Sequence, residues 1–434
     1  MVNAANPEDH NVRQLLLGLL VVALLVGAKT ELETMRPGRW LTTRGYEWLH
    51  SFLSTYDPKE DLPVVVLDIS NLKPAPDGTT SAKSLRTIVE ALVENGAKAI
   101  AIDVDFSPRL DTLEPGKTGA RSEDDPEFFD FLHEQQSKKV PVFVGVHNIG
   151  VESKTWLGTE ENKDLAAHMV LFENDSDSTE VQAWRQCEGY SRLNSISRAL
   201  AQTYAKRPEP PQLLRDFLID YDAPEMVKSF QEKDKAGNLV LCHQAFTLVN
   251  YGKLELIEKL AQQTLDRNSI ATARNTEGQS KFQGKLVVIG IGQRDKATDR
   301  YSIIGHDGPN DTRPGVFVHA IATLTQVADP VYRFEHRFAI LLDLLLGTGV
   351  VIGVFLARKR HNTGSLFSAE DKVVGLAIVV VLALGIALVK LHVLWLDFWL
   401  VLLPLLLHSR VQQILGHLLS RISIKRRPVK LTGV

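Results

Sequence analysis

The sequence lacks the motifs that mark the common enzyme classes. It has no Ser-His-Asp order, no metal-protease helix motif, no P-loop and no Cys-x-x-Cys pair. Gly290 and Gly292 do not complete a dinucleotide-binding G-x-G-x-x-G fingerprint, because Asp295 stands where the third glycine belongs. We therefore expect that the protein is not an enzyme and that it carries no cofactor.

The chain also lacks a positive charge excess. Its formal net charge is −3, and aromatic residues make up only 7% of it, without interleaving with basic residues. A nucleic-acid-binding surface combines those two features. We therefore exclude nucleic acid as a partner.

Cysteine is scarce, with only Cys187 and Cys242 in the whole chain. Both fall in a polar region that we place outside the cytoplasm, where oxidising conditions allow a disulfide. Two free buried thiols fit equally well, because spacing along the chain gives no distance between the two sulfur atoms.

Apolar residues are concentrated at the two ends of the chain. Residues 338–357 and 373–389 have about the length that spans a bilayer, and residues 393–407 form a shorter third stretch with two tryptophans. Basic residues flank residues 373–407 on both sides, at 358–360 and from Arg410 onward, which favours a returning hairpin of that stretch with both flanks in the cytoplasm. We therefore predict three transmembrane helices within residues 338–407.

The N-terminal apolar run is shorter and has two interpretations. After a cytoplasmic segment at 1–12, residues 13–28 form either a transmembrane anchor or a cleaved signal peptide. Glu8 and Asp9 weaken the signal-peptide interpretation, so we favour the anchor. Both place residues 29–337 outside the cytoplasm and leave the C-terminus inside.

Residues 408–434 form a basic tail without an acidic residue. Apolar side chains recur on one face at helical spacing, and the opposite face is polar. The tail could lie on the anionic inner leaflet, form a short coiled coil or dock a cytoplasmic effector. Its candidate contact residues are Arg410, Arg421, Lys425, Arg426 and Arg427.

The external region has the pattern of an α/β domain with a mainly parallel sheet. A buried strand at 63–68, an amphipathic helix at 81–96 and a second buried strand at 97–104 form a β-α-β unit, for which we expect a parallel pair. Further strands are predicted at 140–146 and 284–292, and helices at 190–205 and 314–326. The fold prediction is this domain plus four α-helical transmembrane segments.

This region resembles the CHASE domain of the second type, an extracellular sensor found with bacterial cyclases and histidine kinases. The resemblance is carried, in order, by VVVLDIS (64–70), AKAIAIDVDFS (97–107), LVNY (248–251), GKLVVIG (284–290), DRYS (299–302) and PGVFVHA (314–320). It covers residues 29–337 and includes the family's three membrane helices directly afterwards.

The resemblance implies a sensor in the bacterial inner membrane, with its domain in the periplasm or outside and a ligand that is unknown. Relatives usually carry a catalytic output domain after the last membrane helix, whereas only residues 408–434 follow here. We therefore expect a separate cytoplasmic effector as a partner. A homodimer of this chain is also possible. The alternatives are a structural or assembly protein that uses the external domain for docking, and an extracytoplasmic metal-dependent hydrolase.

Five residues are the candidate ligand site. Asp68 and Asp103 end predicted neighbouring strands, and open parallel sheets bind ligands at such ends. Asp105, Asp299 and His319 could join them there. Such a set could bind a divalent metal, whose identity the sequence leaves unknown, or only satisfy hydrogen bonds locally.

Three ionisable residues lie inside the predicted membrane helices. Asp343, Lys390 and Asp397 fall at similar depth, within about 5–8 Å of the outer boundary. Charged groups there are costly and usually paired. We predict that Lys390 bridges one or both aspartates, the alternative being that each side chain reaches the headgroups.

Overall fold

The computed structural model forms two compact units, one of residues 1–49 with 334–434 and one of residues 50–333. The described residues are 15–24, 26–28, 45, 48, 62–74, 80–106, 125–146, 164–169, 180–187, 192–204, 226–233, 239–249, 251–263, 267–273, 278–293, 295–297, 299–303, 312–328, 332–333, 336–360, 369–391 and 393–394.

A parallel sheet forms the centre of the 50–333 unit. Its five main strands are β1 (Val64–Asp68), β2 (Ala99–Asp105), β3 (Val142–Val146), β4 (Ala166–His168) and β10 (Leu286–Gly290), and the two-residue β9 (Gln262–Gln263) extends one edge. The order is β4-β3-β2-β10-β1-β9, and every neighbouring pair is parallel. The predicted α/β class with a mainly parallel sheet is confirmed for this unit.

Helices cover both faces of this sheet. One face carries α2 (Ala82–Glu94), α3 (Asp125–Ser137) and α6 (Arg267–Thr272), and the other carries α4 (Ile196–Gln202), α5 (Leu254–Leu260) and α7 (Gly315–Ala328). Side chains alternate along a strand, so in β2 Ile100 and Ile102 face the first layer while Ala99 and Ala101 face the second. Burial on both sides explains why these strands are continuously apolar.

The end of α2 shows how a local signal sets an element's length. Ser81 accepts a hydrogen bond from the amide of Ser84 and caps the start, and Asn95 follows the last helical residue. Gly96 then adopts φ +79°, a left-handed conformation that side chains with a Cβ rarely tolerate. The helix predicted from 81 to 96 is therefore confirmed within one or two residues of each end.

Two predictions about this unit were wrong. The ends of β1 and β2 were expected to be neighbours, but β10 lies between them and pairs with both. The helix predicted over 190–205 spans only Ile196–Gln202, because β6 (Leu193–Asn194) precedes it and Ser195 caps its start. Helical spacing alone does not show where a capping residue interrupts the chain.

A second, antiparallel sheet was not predicted. It has the order β6-β5-β8-β7, with β5 (Glu180–Cys187), β7 (Met226–Lys233) and β8 (Leu239–Leu248) as its long strands. The polar residues of these strands hide the alternation that would mark them. The short strands β11 (Arg300–Ser302) and β12 (Thr312–Pro314) pair antiparallel, and β13 (Tyr332–Arg333) ends the unit.

Both cysteines belong to this second sheet. Cys187 and Cys242 are opposite one another in the antiparallel pairing of β5 with β8. Cys242 is buried and disulfide-bonded, and Cys187 is the only other cysteine in the chain.

In the other unit, α8 (His336–Arg360) and α9 (Ala369–Lys390) are long apolar helices. Among the described residues, one stretch is long and apolar enough to cross a membrane, Ala339–Leu356, with a mean hydropathy of 2.4. The shorter apolar helices are α1 (Leu15–Ala28) and the Gly375–Lys390 part of α9. The strand β14 (Val393–Leu394) shows that the third membrane helix does not begin at Val393 as predicted, and the remainder of that segment lies outside the described residues.

Exposure separates α8 from the apolar core helix α7. All residues of α7 except the last are buried, as expected for a helix inside a soluble domain. In α8, by contrast, Leu345 is 61% and Leu356 is 53% exposed. Large exposed apolar side chains along a whole helix fit a lipid environment.

The N-terminal helix α1 packs against α8 through two glycines. A Cβ on Gly18 would lie 2.8 Å from Val351 Cγ1, and a Cβ on Gly347 would lie 2.5 Å from Val22 Cγ1. Each glycine therefore receives a valine of the other helix, which lets the two backbones approach closely as in many membrane helix pairs.

Replacing both cysteines, Cys187→Ala with Cys242→Ala, is expected to lower the free energy of unfolding by about 2–4 kcal/mol, since a bond across roughly 55 residues restricts the unfolded chain. Denaturant unfolding of the full chain, with and without reductant, measures this change. Reductant should destabilise the wild type and leave the double variant unaffected; an equal effect on both would contradict the prediction.

Candidate functional site

The strand order creates a crevice at the carboxyl edge of the parallel sheet. After β2 the chain continues to α3 on one face, whereas after β10 it continues to α7 on the other. Adjacent parallel strands whose connections leave to opposite faces open a gap beyond their carboxyl ends, which is where α/β sheets bind ligands. The candidate site is therefore expected at the ends of β2 and β10.

Asp68 lies at this edge but has a local structural role. Its Oδ1 accepts hydrogen bonds from the amide and hydroxyl of Ser70 and, at 2.8 Å, from the amide of Gly292. The Ser70 hydroxyl in turn accepts from the amide of Gln293 at 2.9 Å. These bonds fix the loop after β1 to the turn after β10, which matches the loop-binding alternative for Asp68.

Asp103 points into the crevice from β2. Alternation places it on the same face as Ala101, the face that α7 covers. Its carboxyl group is almost fully buried, and no described residue hydrogen-bonds to Oδ1. A buried carboxyl oxygen without such a partner is unusual in a folded protein.

His319 faces Asp103 from the second turn of α7. Its Nε2 lies 3.5 Å from Asp103 Oδ1 and 3.2 Å from the carbonyl oxygen of Met169, just after β4. A carbonyl oxygen only accepts, so Nε2 carries the proton and Nδ1 has the lone pair. The imidazole is fully buried, and none of the described residues bonds to Nδ1.

Asp299 and Tyr301 complete the cluster from the segment before α7. The Asp299 carboxylate contacts Gly315, the first residue of α7, so closely that a Cβ there could not be accommodated. The amide of Gly315 donates to the backbone carbonyl oxygen of Asp299 at 3.2 Å, and the amides of Asp299 and Gly315 also act on the carboxylate by lowering its pKa. Asp299 and Tyr301 are half-buried, so the cluster leads from the surface inward to Asp103.

Burial controls the protonation of the four residues, which we call the edge cluster (Asp103, Asp299, Tyr301 and His319). Desolvation, reinforced by the charge of Asp299, raises the pKa of Asp103 well above its usual value. Burial also raises the pKa of Asp299, against the effect of its two amide donors. Burial, and then the two carboxylates, raises the pKa of Tyr301.

The same desolvation acts on His319 with the opposite sign. It lowers the pKa of the imidazole to about 3, although the bond to the Met169 carbonyl acts to raise it. The cluster therefore contains a histidine that is neutral at neutral pH and an Asp103 that holds its proton to a higher pH than an exposed aspartate does.

The structure thus brings Asp103, Asp299 and His319 together, whereas Asp68 is bound to the loop after β1 and the turn after β10. Asp105, the last residue of β2, is half-buried beyond Asp103 and also has a partner of its own. Sequence reasoning missed Tyr301 and the Met169 carbonyl. The proximity of Tyr301 to Asp299 in the DRYS stretch could have indicated the first, but no signal marks the second.

Within the described part of the chain, no group of three or more His, Cys, Asp and Glu residues could hold a metal ion. What the edge cluster offers instead is hydrogen-bond acceptors in a buried setting: carboxyl oxygens and the Nδ1 lone pair. Groups of this kind are poised to bind a proton or a donor.

A family model for the CHASE2 domain matches residues 16–354, most of the chain. The chain belongs to the CHASE2 family. No curated protein and no solved structure matches it. A CHASE2 domain is an extracellular, non-catalytic sensing module, so membership implies a sensor role in signalling.

The family assignment and the long apolar helix of α8 together indicate association with a membrane. Asp343 lies buried on the face of α8 that also carries Gly347, which packs on α1, whereas Lys390 is exposed at the end of α9. Asp397 and the basic tail lie outside the described residues. The proposed bridge through Lys390 stays a prediction.

Asp103→Asn is expected to change how stability depends on pH. A raised pKa means that the folded state keeps a proton that the unfolded chain releases near pH 4, so wild-type stability falls as pH rises above about 4, by at most 1.36 kcal/mol per pH unit. Asparagine lacks this proton. Denaturant unfolding at several pH values should show the variant gaining on the wild type with rising pH. A difference in unfolding free energy between variant and wild type that stays constant with pH would contradict the prediction. The control is Asp130→Asn, whose side chain is exposed on α3.

His319→Gln should act in the acidic range. The unfolded histidine binds a proton near pH 6.5 but the folded one only near pH 3, so protonation costs wild-type stability progressively as pH falls through that interval. Glutamine keeps a donor for Met169 without titrating. The same measurement should show that the variant loses less unfolding free energy than the wild type as the pH falls. If the unfolding free energies of the two proteins run parallel below pH 6, the imidazole is not buried in its neutral form.

Proposed function

We propose that this protein is a membrane-bound sensor whose edge cluster receives an extracytoplasmic signal and whose α7 passes it toward the membrane helices. A cytoplasmic effector on another chain would read the result. The placement is that of a bacterial inner-membrane protein with its large domain in the periplasm or outside.

The observation that carries this proposal is the position of α7. Its first turns contact Asp299 and present His319 to Asp103, and only residues 329–335 separate its last residue from the start of α8. A change at the cluster therefore acts on a helix that is directly continuous, along the chain, with the longest apolar helix.

The close packing of α7 in the domain core supports a displacement of the whole helix rather than a change in a few of its residues. It is buried along nearly its entire length, and Thr323 and Thr325 donate back to carbonyls one turn earlier. Gln326 reaches the Ser197 hydroxyl of α4 at 3.4 Å. Closely packed elements change position between discrete arrangements instead of deforming continuously.

The signal must bind the two arrangements unequally, because a ligand with equal affinity for both shifts nothing. In the membrane, the pairing of α1 with α8 is the arrangement that we expect to change. We propose that four membrane helices transmit it, and that the tail with Arg410, Arg421, Lys425, Arg426 and Arg427 is the cytoplasmic docking element.

The relay is tested with a reporter pair in the membrane. The double substitution Gly18→Cys and Val351→Cys places one thiol on α1 and one on α8. The two positions are close enough for a crosslink, because a Cβ on Gly18 would lie 2.8 Å from Val351 Cγ1. Adding Asp299→Asn removes the carboxylate charge beside Gly315, the first residue of α7. The rate of disulfide crosslinking between positions 18 and 351 in native membranes should then change severalfold. Asp130→Asn, far from the cluster on α3, should leave the rate unaltered. Equal rates in all three proteins would show that the cluster and the membrane helices are not coupled.

A further inference from the structure

The hydrogen-bonding capacity of the edge cluster narrows the chemistry of its ligand. No described residue bonds to Asp103 Oδ1, or to Nδ1 of His319, which has the lone pair because Nε2 donates to the Met169 carbonyl. Asp299 contributes a second carboxylate. A ligand that satisfies Nδ1 of His319 and the ionised carboxyl oxygens has to supply hydrogen-bond donors, and the negative charge of Asp299 would repel an anion.

The gradient of burial shows from which side a ligand enters. Asp299 and Tyr301 are half-buried, whereas Asp103 and His319 are inaccessible behind them. The Tyr301 ring beside carboxyl groups provides a surface that favours a cation. The walls around Asp103 are close, because a Cβ on Gly290 would lie 3.2 Å from the Asp103 Cβ and 2.7 Å from Val316 Cγ2. A ligand group that reaches Asp103 between these walls therefore has to be compact.

We propose that the edge cluster binds a protonated amino group, that of a small primary amine, through the carboxyl groups of Asp103 and Asp299. This proposal names the class of signal for the proposed sensor function. Binding of the amine does not depend on that function, whereas its effect on the membrane helices rests on it. The charges balance by exchange: the ammonium group enters, and the proton held by Asp103 leaves to solvent.

The exchange also explains how an amine would bias α7. Without ligand, the proton on Asp103 limits the repulsion between the two carboxyl groups. With ligand, the carboxyl groups of Asp103 and Asp299 are both ionised, and one cation lies between them. This cation connects β2 with Asp299, the residue that binds the first amide of α7. The contact between the start of α7 and the sheet therefore differs between the ligand-free and the ligand-bound protein.

The test uses the full chain in detergent and methylammonium chloride as probe. Tetramethylammonium chloride, which has the same charge but no N–H donor, and sodium chloride at equal ionic strength are the matched salts. Methylammonium should raise the unfolding temperature in a saturable manner, and the two other salts should not. Asp103→Asn and Asp299→Asn should weaken the apparent affinity by about tenfold or more, because each removes a charged hydrogen bond, and Asp130→Asn should not.

Wild-type protein alone gives a second readout that does not require the variants to fold. Because binding releases one proton, the apparent affinity should rise up to about tenfold per pH unit while Asp103 is protonated. A shift shared by tetramethylammonium, an affinity that does not depend on pH, or a full response in Asp103→Asn would each overturn the proposal. A failure here together with a changed crosslinking rate for Gly18→Cys and Val351→Cys would reject the amine and keep the sensor.

Discussion

The pairing of β10 with both β1 and β2 is the interaction on which the remaining structure depends. The strand arrives roughly 220 residues after β1 and occupies the centre of the sheet. All five of its residues are buried, and its side chains contribute to both hydrophobic layers. Its end positions the turn that Asp68 holds, and the segment that follows brings Asp299, Tyr301 and α7 to Asp103.

This arrangement also explains why a charged group is tolerated so deep in the domain. The crevice exists because β2 and β10 send their connections to opposite faces, so no continuous layer of apolar side chains can close over their ends. Asp103 occupies that gap at the cost of desolvation, and its neighbours respond with raised or lowered pKa values according to their charge type. Polar residues that are expensive for stability are often retained for function.

Much of the fold could be predicted from the sequence where one local pattern decides the element. The apolar runs of β1, β2, β3 and β10 and the capped helix α2 have such patterns, and the motif order identified the family. The insertion of β10 between β1 and β2 could not be predicted, since pairing depends on contacts between segments far apart in the chain. The antiparallel sheet was missed because strands such as β5 are rich in polar and charged residues.

The candidate site was predictable in part for the same reason. Strand-end aspartates are visible in a sequence, so Asp103 was found, but so was Asp68, whose partners are backbone amides that no pattern reveals. Likewise His319 could be named, whereas its contact with the Met169 carbonyl depends on where β4 lies in the folded sheet. Residue type indicates what a side chain can do, and topology decides whether it meets a partner.

The late arrival of the central strand has a consequence for biogenesis. A chain that is exported from its N-terminus presents β1 and β2 long before β10 emerges, and until then each has an open edge of unpaired amides and carbonyls facing the empty slot. Such edges bind other strands readily, so the half-exported domain is vulnerable to misassembly. Closure of the sheet comes only shortly before α8 follows, so in the proposed placement the domain completes its folding at about the moment when α8 enters the bilayer.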